Sequence, residues 1–107
     1  MQDREFAEII KGDERIMETA LSLISRAETR IDACVDHTRP ALSIDNEQMK
    51  ALVIDSRNRG VKLRCITEIT TSNFNSCKQL MGIVNELRHL EGIAGTFYVS
   101  DTECLIP

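Results

Sequence analysis

The sequence is poor in aromatic residues, with no tryptophan, one tyrosine and three phenylalanines among its 107 residues. A surface that stacks bases or sugars on aromatic rings is therefore not expected. The sequence also lacks an excess of positive charge, because its formal net charge is −4. Binding to nucleic-acid phosphates depends on clustered Lys and Arg. The composition therefore predicts no nucleic-acid partner.

Long apolar runs are missing too, and no stretch approaches the roughly 20 apolar residues that a membrane helix needs. The first five residues include charged side chains rather than an apolar leader. The four cysteines, Cys34, Cys65, Cys77 and Cys104, contain no Cys-x-x-Cys pair. This spacing argues against a zinc or redox site. We expect a cytoplasmic globular domain with reduced thiols, no metal and no membrane span.

Helices are predicted where apolar residues recur every three or four positions. They are residues 2–27 with a break at Gly12, Ser43 or Asp45 to Gly60, and 77–87. Pro40 is expected to prevent helix at Arg39, because a residue before proline disfavours the helical conformation. Gly60 is expected to end its helix with a positive φ.

Strands are predicted where apolar and polar residues alternate. They lie at about 30–36, 61–67 and 95–100, with an antiparallel edge strand at 103–106. The first two strands, joined by a helix, predict a β-α-β unit with parallel strands. The fold class is therefore α/β, a small, mainly parallel sheet flanked by helices.

The domain organisation is predicted to be simple. Residues 1–12 form an N-terminal helical extension, and residues 13–107 form a single α/β domain. Because the chain stops at Pro107 just after a strand, we expect it to be a fragment of a longer protein. Phe6, Ile9 and Ile10 form an apolar stripe outside the domain. They are the candidate interface of a symmetric homodimer.

Polar residues follow the predicted strands, where ligands bind in open parallel sheets. The candidate ligand-binding residues are His37, Thr38, Arg39, Thr67, Glu68, Thr70, Ser100 and Asp101. The alternative is that these side chains serve only in turns and helix caps. No catalytic residue is predicted.

The helix-to-strand stretch Ser56-Arg57-Asn58-Arg59-Gly60-Val61-Lys62-Leu63-Arg64 resembles one half of a phospholipase D-like domain. Such a resemblance implies phosphodiester chemistry through a His-x-Lys motif followed by Asp. No His-x-Lys occurs here, and His37-Thr38-Arg39 is the nearest approach. The chain is therefore expected not to be an enzyme.

Three blocks, at residues 30–40, 60–70 and 86–93, resemble the N-terminal input region of archaeal sensor histidine kinases. This resemblance implies a non-catalytic domain that senses an unknown small-molecule or protein signal in a two-component system. It also implies that the phosphotransferase, with its ATP and Mg²⁺, lies beyond Pro107, so that this chain itself needs no cofactor.

Two alternatives remain open at this point. One is a degenerate phospholipase D-like phosphodiesterase that works through His37 with Glu68 or Asp101. The other is a protein-interaction module that docks a partner on its sheet edge or first helix.

Overall fold

The computed structural model describes residues 7–9, 13–93 and 95–106, without the side chains of residues 7–9, 13, 14 and 106. Six strands and four helices follow one another along this part of the chain. In chain order they are β1 (Ala7–Ile9), α1 (Asp13–Arg26), β2 (Arg30–Val35), α2 (Arg39–Asp45), α3 (Glu47–Asn58), β3 (Lys62–Thr67), α4 (Phe74–Met81), β4 (Glu86–His89), β5 (Phe97–Ser100) and β6 (Cys104–Ile106).

The strands form one mixed sheet in the order β1-β6-β5-β2-β3-β4. The three neighbours β2, β3 and β4 are parallel to one another. By contrast, β5 runs antiparallel to β2, and β6 runs antiparallel to β5. The outermost strand β1 is parallel to β6. The α/β class and the parallel β2–β3 pair are confirmed, and the antiparallel direction of β6 relative to β5 is confirmed as well.

The helices cover only one face of the sheet. In β3 the residues alternate strictly, with Leu63, Cys65 and Thr67 buried and the residues between them exposed. The buried strand residues share a single core with apolar side chains from all four helices, including Leu23 of α1 and Val53 of α3. The domain therefore has two layers, and the second face of the sheet is open in the described part of the chain.

Local signals explain where the central helix begins and ends. Asn46 caps the start of α3, because its side-chain Oδ1 accepts the Met49 backbone N–H at 2.8 Å. Gly60 follows the end of α3 with a φ of 93°, a conformation that side chains with a Cβ disfavour. The predicted role of Gly60 is therefore confirmed. The predicted start of the helix was close, although Asn46 provides the cap and not Asp45.

Three secondary-structure predictions were wrong. Glu86–His89 is strand β4 instead of the end of a helix, because α4 stops before Gly82 and Leu87 then pairs with Cys65 of β3. Ala7–Ile9 is strand β1 instead of helix. Arg39 is the first residue of helix α2, although Pro40 was expected to prevent helix there. The proline is accommodated because it lies in the first turn, where its missing N–H has no helical partner to lose.

The predicted direction of the strand at 95–100 also needs correction. We expected it to extend the parallel sheet, but β5 is antiparallel to β2. Its carboxyl end, at Ser100, therefore lies at the opposite edge of the sheet from the carboxyl ends of β2 and β3. The predicted boundary between residues 12 and 13 stays a prediction. None of the helices in the described ranges is long and apolar enough to cross a bilayer.

The packing of α1 against the sheet generates a stability prediction. Leu23 is 2% exposed, so Leu23→Ala should lower the free energy of unfolding by about 2–5 kcal/mol. The matched control Leu42→Ala removes a side chain that is 38% exposed and should cost only about 0.5 kcal/mol. Urea denaturation of the three proteins measures the difference, and equal losses would contradict the assigned core.

Candidate functional site

The structure brings together most of the predicted ligand-binding residues. Val35 and Thr67 are register partners at the carboxyl ends of β2 and β3. His37, Thr38, Arg39, Thr67, Glu68 and Thr70 therefore all lie at or just after this edge of the sheet. Ser100 and Asp101 do not join them, because β5 is antiparallel.

Asp36 is the centre of a hydrogen-bond network at this edge. Its Oδ1 accepts the Thr38 backbone N–H at 2.9 Å and also the Thr38 hydroxyl. Its Oδ2 accepts the Thr96 hydroxyl at 3.0 Å. The Thr67 hydroxyl, which is fully buried, donates to the Asp36 carbonyl at 3.3 Å. Asp36 thus ties the end of β2 to β3 and to the chain preceding β5.

The charge of Asp36 is held in place by these contacts. Burial raises the pKa of its carboxyl, but hydrogen bonds from Thr38 and Thr96 and the positive charge of Arg39 outweigh that effect. The net pKa therefore lies below the ordinary value for Asp. Arg39 itself is buried in the first turn of α2. Burial raises the pKa of the nearby Tyr98 to about 12, although the charge of Arg39 works in the other direction.

Sequence reasoning missed Asn73, which joins the two loops of this edge. The side-chain Nδ2 donates to the carbonyls of His37 and Glu68, both at 2.9 Å. The side-chain Oδ1 accepts the Thr70 backbone N–H at 2.7 Å. Asn73 is 4% exposed. The signal in the sequence was its place in the polar turn before α4, where Asn side chains often bond nearby backbone.

Glu68 and His89 complete the same edge on the side of β4. The Ile69 backbone N–H donates to His89 Nδ1 at 2.9 Å. The Glu68 carboxylate accepts the Gly92 backbone N–H at 3.3 Å. The strand-end residues are thus engaged mainly with one another and with the backbone, while His37 and Thr38 are exposed.

Ser100 and Asp101 hold the opposite edge together. The Asp101 carboxylate accepts the backbone N–H groups of Glu28 and Thr29, at 3.1 and 3.2 Å through Oδ1. Hydrogen bonds from this turn, the largest of them from Thr29, keep the pKa of Asp101 below its ordinary value. The Ser100 hydroxyl accepts from the backbone of Thr102. Because His37 and Asp101 lie at opposite edges, they do not form a shared catalytic site.

The cysteines are all free thiols. Cys65 is buried in the core, and burial raises its pKa to about 12. Cys77 is also buried, and its pKa is raised for the same reason. Cys34 and Cys104 are half-buried on the open side of the sheet. Among the described residues no group of three His, Cys, Asp or Glu side chains is arranged to hold a metal ion.

The open sheet face carries a charged cluster that sequence reasoning also missed. In register, Arg30 lies beside Lys62, and Asp32 lies beside Arg64. On the next strand, Glu86 lies beside Arg64. With Arg88, which follows Glu86 on the same face, strands β2 to β4 present four cations and two carboxylates there. These six residues form the charged cluster.

Two ion pairs order part of the charged cluster. Arg64 Nε donates to Asp32 Oδ1 at 2.7 Å, and this hydrogen bond lowers the pKa of Asp32. An Arg88 guanidinium nitrogen donates to Glu86 Oε2 at 2.8 Å and lowers the pKa of Glu86. The other two cations, Arg30 on β2 and Lys62 on β3, form no ion pair within the described part of the chain. They give the charged cluster an excess of positive charge.

Beside the charged cluster, the described side chains of the open face are apolar. Phe97 of β5 is 44% exposed, and Ile66 of β3 is 38% exposed. Cys34 lies between them in register, beside both residues. A shallow groove of about 340 Å³ runs from these side chains to the charged cluster. The open face is therefore divided into a positively charged part and an apolar part.

The Asp36 network predicts a pH dependence of stability. Because the folded-state pKa of Asp36 is depressed, the stabilisation from its carboxylate is complete above the unfolded-state pKa and is lost as pH falls through the folded-state pKa. Asp36→Asn should therefore lower stability at about pH 7 and reduce the further loss as the pH falls below about 4, the ordinary pKa of Asp. Urea midpoints across this range measure both effects. Asp45→Asn, at an exposed carboxylate, is the control, and an identical acid limb in the wild type and Asp36→Asn would contradict the prediction.

Comparison with known proteins bears on the fold. No family model matches the sequence, and no curated protein matches it. A solved structure does match, that of TrmBL2, an archaeal chromatin protein that shows a novel mode of DNA binding. The TM-score is 0.65 at 16% sequence identity. The match covers 91% of this chain and 37% of TrmBL2, so the similarity is one of fold with part of that protein.

This neighbour contradicts both family resemblances. The expected sensor histidine kinase input domain of a two-component system is wrong, and the phospholipase D-like assignment is not supported, because the matching fold belongs to a chromatin protein. The alternative functions fit no better. Short blocks such as Arg59-Gly60-Val61 misled the assignment because a glycine between a helix and a strand is a general feature of α/β folds.

The exclusion of nucleic-acid partners is contradicted as well, since TrmBL2 binds DNA. Net charge is a sum over the whole surface and does not show that cations gather on one face.

The structure does not test the candidate dimer interface formed by the apolar stripe near the N-terminus. Phe6 and Ile10 lie outside the described residues, and Ile9 is described only in its backbone.

Proposed function

We propose that this chain is an α/β domain of a DNA-associated protein, and that its open sheet face contacts the DNA backbone. The observation that carries the proposal is the charged cluster. On a chain of net charge −4, four of the cations share one open face with only two carboxylates. This local excess of positive charge is the feature that attracts phosphates.

The spacing within the charged cluster suits an extended polyanion. Arg30 and Lys62 are on neighbouring strands, which lie about 4.8 Å apart. Arg64 follows Lys62 two residues along the same strand, a separation of about 6.6 Å. The three cations are thus neighbours on the sheet, one strand or two residues apart. Their long side chains can each reach a phosphate of the same DNA strand.

The segment that leads into β3 is also rich in cations. Residues 56–67 contain four cations and no carboxylate. Two of these cations precede β3, with Arg57 in the last turn of α3 and Arg59 directly after that helix. Arg59 is paired with Asp55 at 3.0 Å, whereas Arg57 donates to the Gly82 carbonyl at 3.2 Å.

The similarity in fold to part of TrmBL2 supports the same proposal. That protein is an archaeal chromatin protein and binds DNA. Because it has few aromatic side chains to stack on bases, the chain is proposed to bind the phosphate backbone of DNA, without sequence preference. The proposal includes no catalytic step and no cofactor. It implies a reducing, cytoplasmic setting, which the four free thiols support.

The proposal predicts salt-dependent binding to duplex DNA. Lys62→Ala should weaken binding and reduce the slope of log K against log salt concentration by about 0.9, the contribution of one phosphate contact. Arg30→Ala should have a similar effect. Fluorescence anisotropy with labelled duplexes of unrelated sequence, in a salt series, measures the affinity and the slope.

The matched control is Lys78→Ala, which removes an exposed lysine from α4 in the helical layer. This variant should bind DNA like the wild type, because Lys78 is remote from the open face. The proposal fails if the chain does not bind duplex DNA at low salt. It also fails if Lys78→Ala weakens binding as much as Lys62→Ala.

A further inference from the structure

The strand β4 is the outermost strand on one side of the sheet, and is therefore an edge strand. It pairs with β3 on one side, and no strand in the described part of the chain pairs with its other side. The outer side of an edge strand presents backbone N–H and C=O groups that are free to pair with another strand. What such an edge accepts depends on the side chains beside those groups.

The two open-face side chains of β4 have opposite charge. Glu86 and Arg88 are two residues apart, so they point to the same face. Their side chains are 41% and 70% exposed. Across the sheet, the row Asp32, Arg64, Glu86 alternates in sign from strand to strand. The next strand beyond β4 would continue this alternation by placing a cation beside Glu86.

We propose that this next strand is β4 of a second copy of the chain, paired antiparallel about a two-fold axis at Leu87. In this register Glu86 of each copy lies opposite Arg88 of the other, so both cross-strand pairs are attractive. A two-fold axis at Arg88 would instead place two arginines face to face. The charges therefore select one register, and the self-complementary pattern matches the symmetry of a homodimer.

The pattern on β4 differs from the charges that prevent edge pairing. Edge strands are commonly protected by lysines or prolines that repel or block a second strand. Because Glu86 and Arg88 have opposite charges, they attract the β4 strand of a second copy in the selected register. Within one chain these two side chains already form an ion pair at 2.8 Å. Pairing would exchange the ion pair within each of the two chains for two equivalent pairs between the chains, and it would add backbone hydrogen bonds between the strands.

The interior need not change for this pairing to occur. Leu87 lies on the other face of β4, where it packs against the core. The two-fold axis perpendicular to the sheet would join the two sheets edge to edge and keep both open faces on the same side. The inference does not rest on DNA binding, because the pairing uses the edge of β4 and is measured without DNA.

Sedimentation equilibrium of the full chain over a concentration series tests the proposal through charge complementation. The wild type should dimerise. Glu86→Arg and Arg88→Glu should each dimerise on the order of tenfold more weakly, because each replaces two attractive pairs with two repulsive ones. An equimolar mixture of the two variants should recover dimers, since a β4 edge with two positive charges then faces a β4 edge with two negative charges.

The control is Glu28→Arg, which reverses an exposed charge in the turn before β2 and should leave the wild-type dimer unchanged. Circular dichroism of every variant establishes that each one folds. The proposal is overturned if the wild type is monomeric at all concentrations, if either variant dimerises like the wild type, or if the mixture dimerises no better than its components.

Discussion

The parallel pairing of β2 with β3, covered by helices on one side only, is the constraint on which the rest of the structure depends. Six register pairs join these strands, and the alternating side chains of each strand point to opposite faces. Burial of one set, such as Ile31 and Leu63, determines that the other set, including Arg30 and Lys62, faces outward. The core and the charged cluster are therefore two consequences of the same pairing.

The direction of β5 decides how the polar residues are distributed. Because β5 is antiparallel to β2, its carboxyl end contributes to the opposite edge of the sheet. There Asp101 binds the backbone of the α1–β2 turn. At the carboxyl ends of β2 and β3, Asp36 and Asn73 form hydrogen bonds that hold the following loops in place. Both edges are thus stabilised by hydrogen bonds from polar side chains to the backbone, whereas the open face keeps its charges at the surface.

The central part of the fold could be predicted from local patterns. The alternation around Ile31 and Leu63, with a helix between, indicated the parallel unit, and Gly60 indicated the turn. Glu86–His89 could not be predicted in the same way, since four residues are too few to separate a strand from the end of a helix. Only pairing with β3 makes this segment a strand. For the candidate site, the adjacency of His37 and Thr67 was predictable, but the place of Ser100 was not.

The sequence by itself determined the alternation within each strand, the helix ends at Asn46 and Gly60, and the total charge, because these depend on residues close together in the chain. The tertiary structure decided which strands are neighbours and in which direction they run. It therefore also decided that Arg30, Lys62 and Arg64 share one open face and that Glu86 and Arg88 lie at its edge. Such proximity arises from pairing between distant segments, and neither net charge nor local spacing contains it.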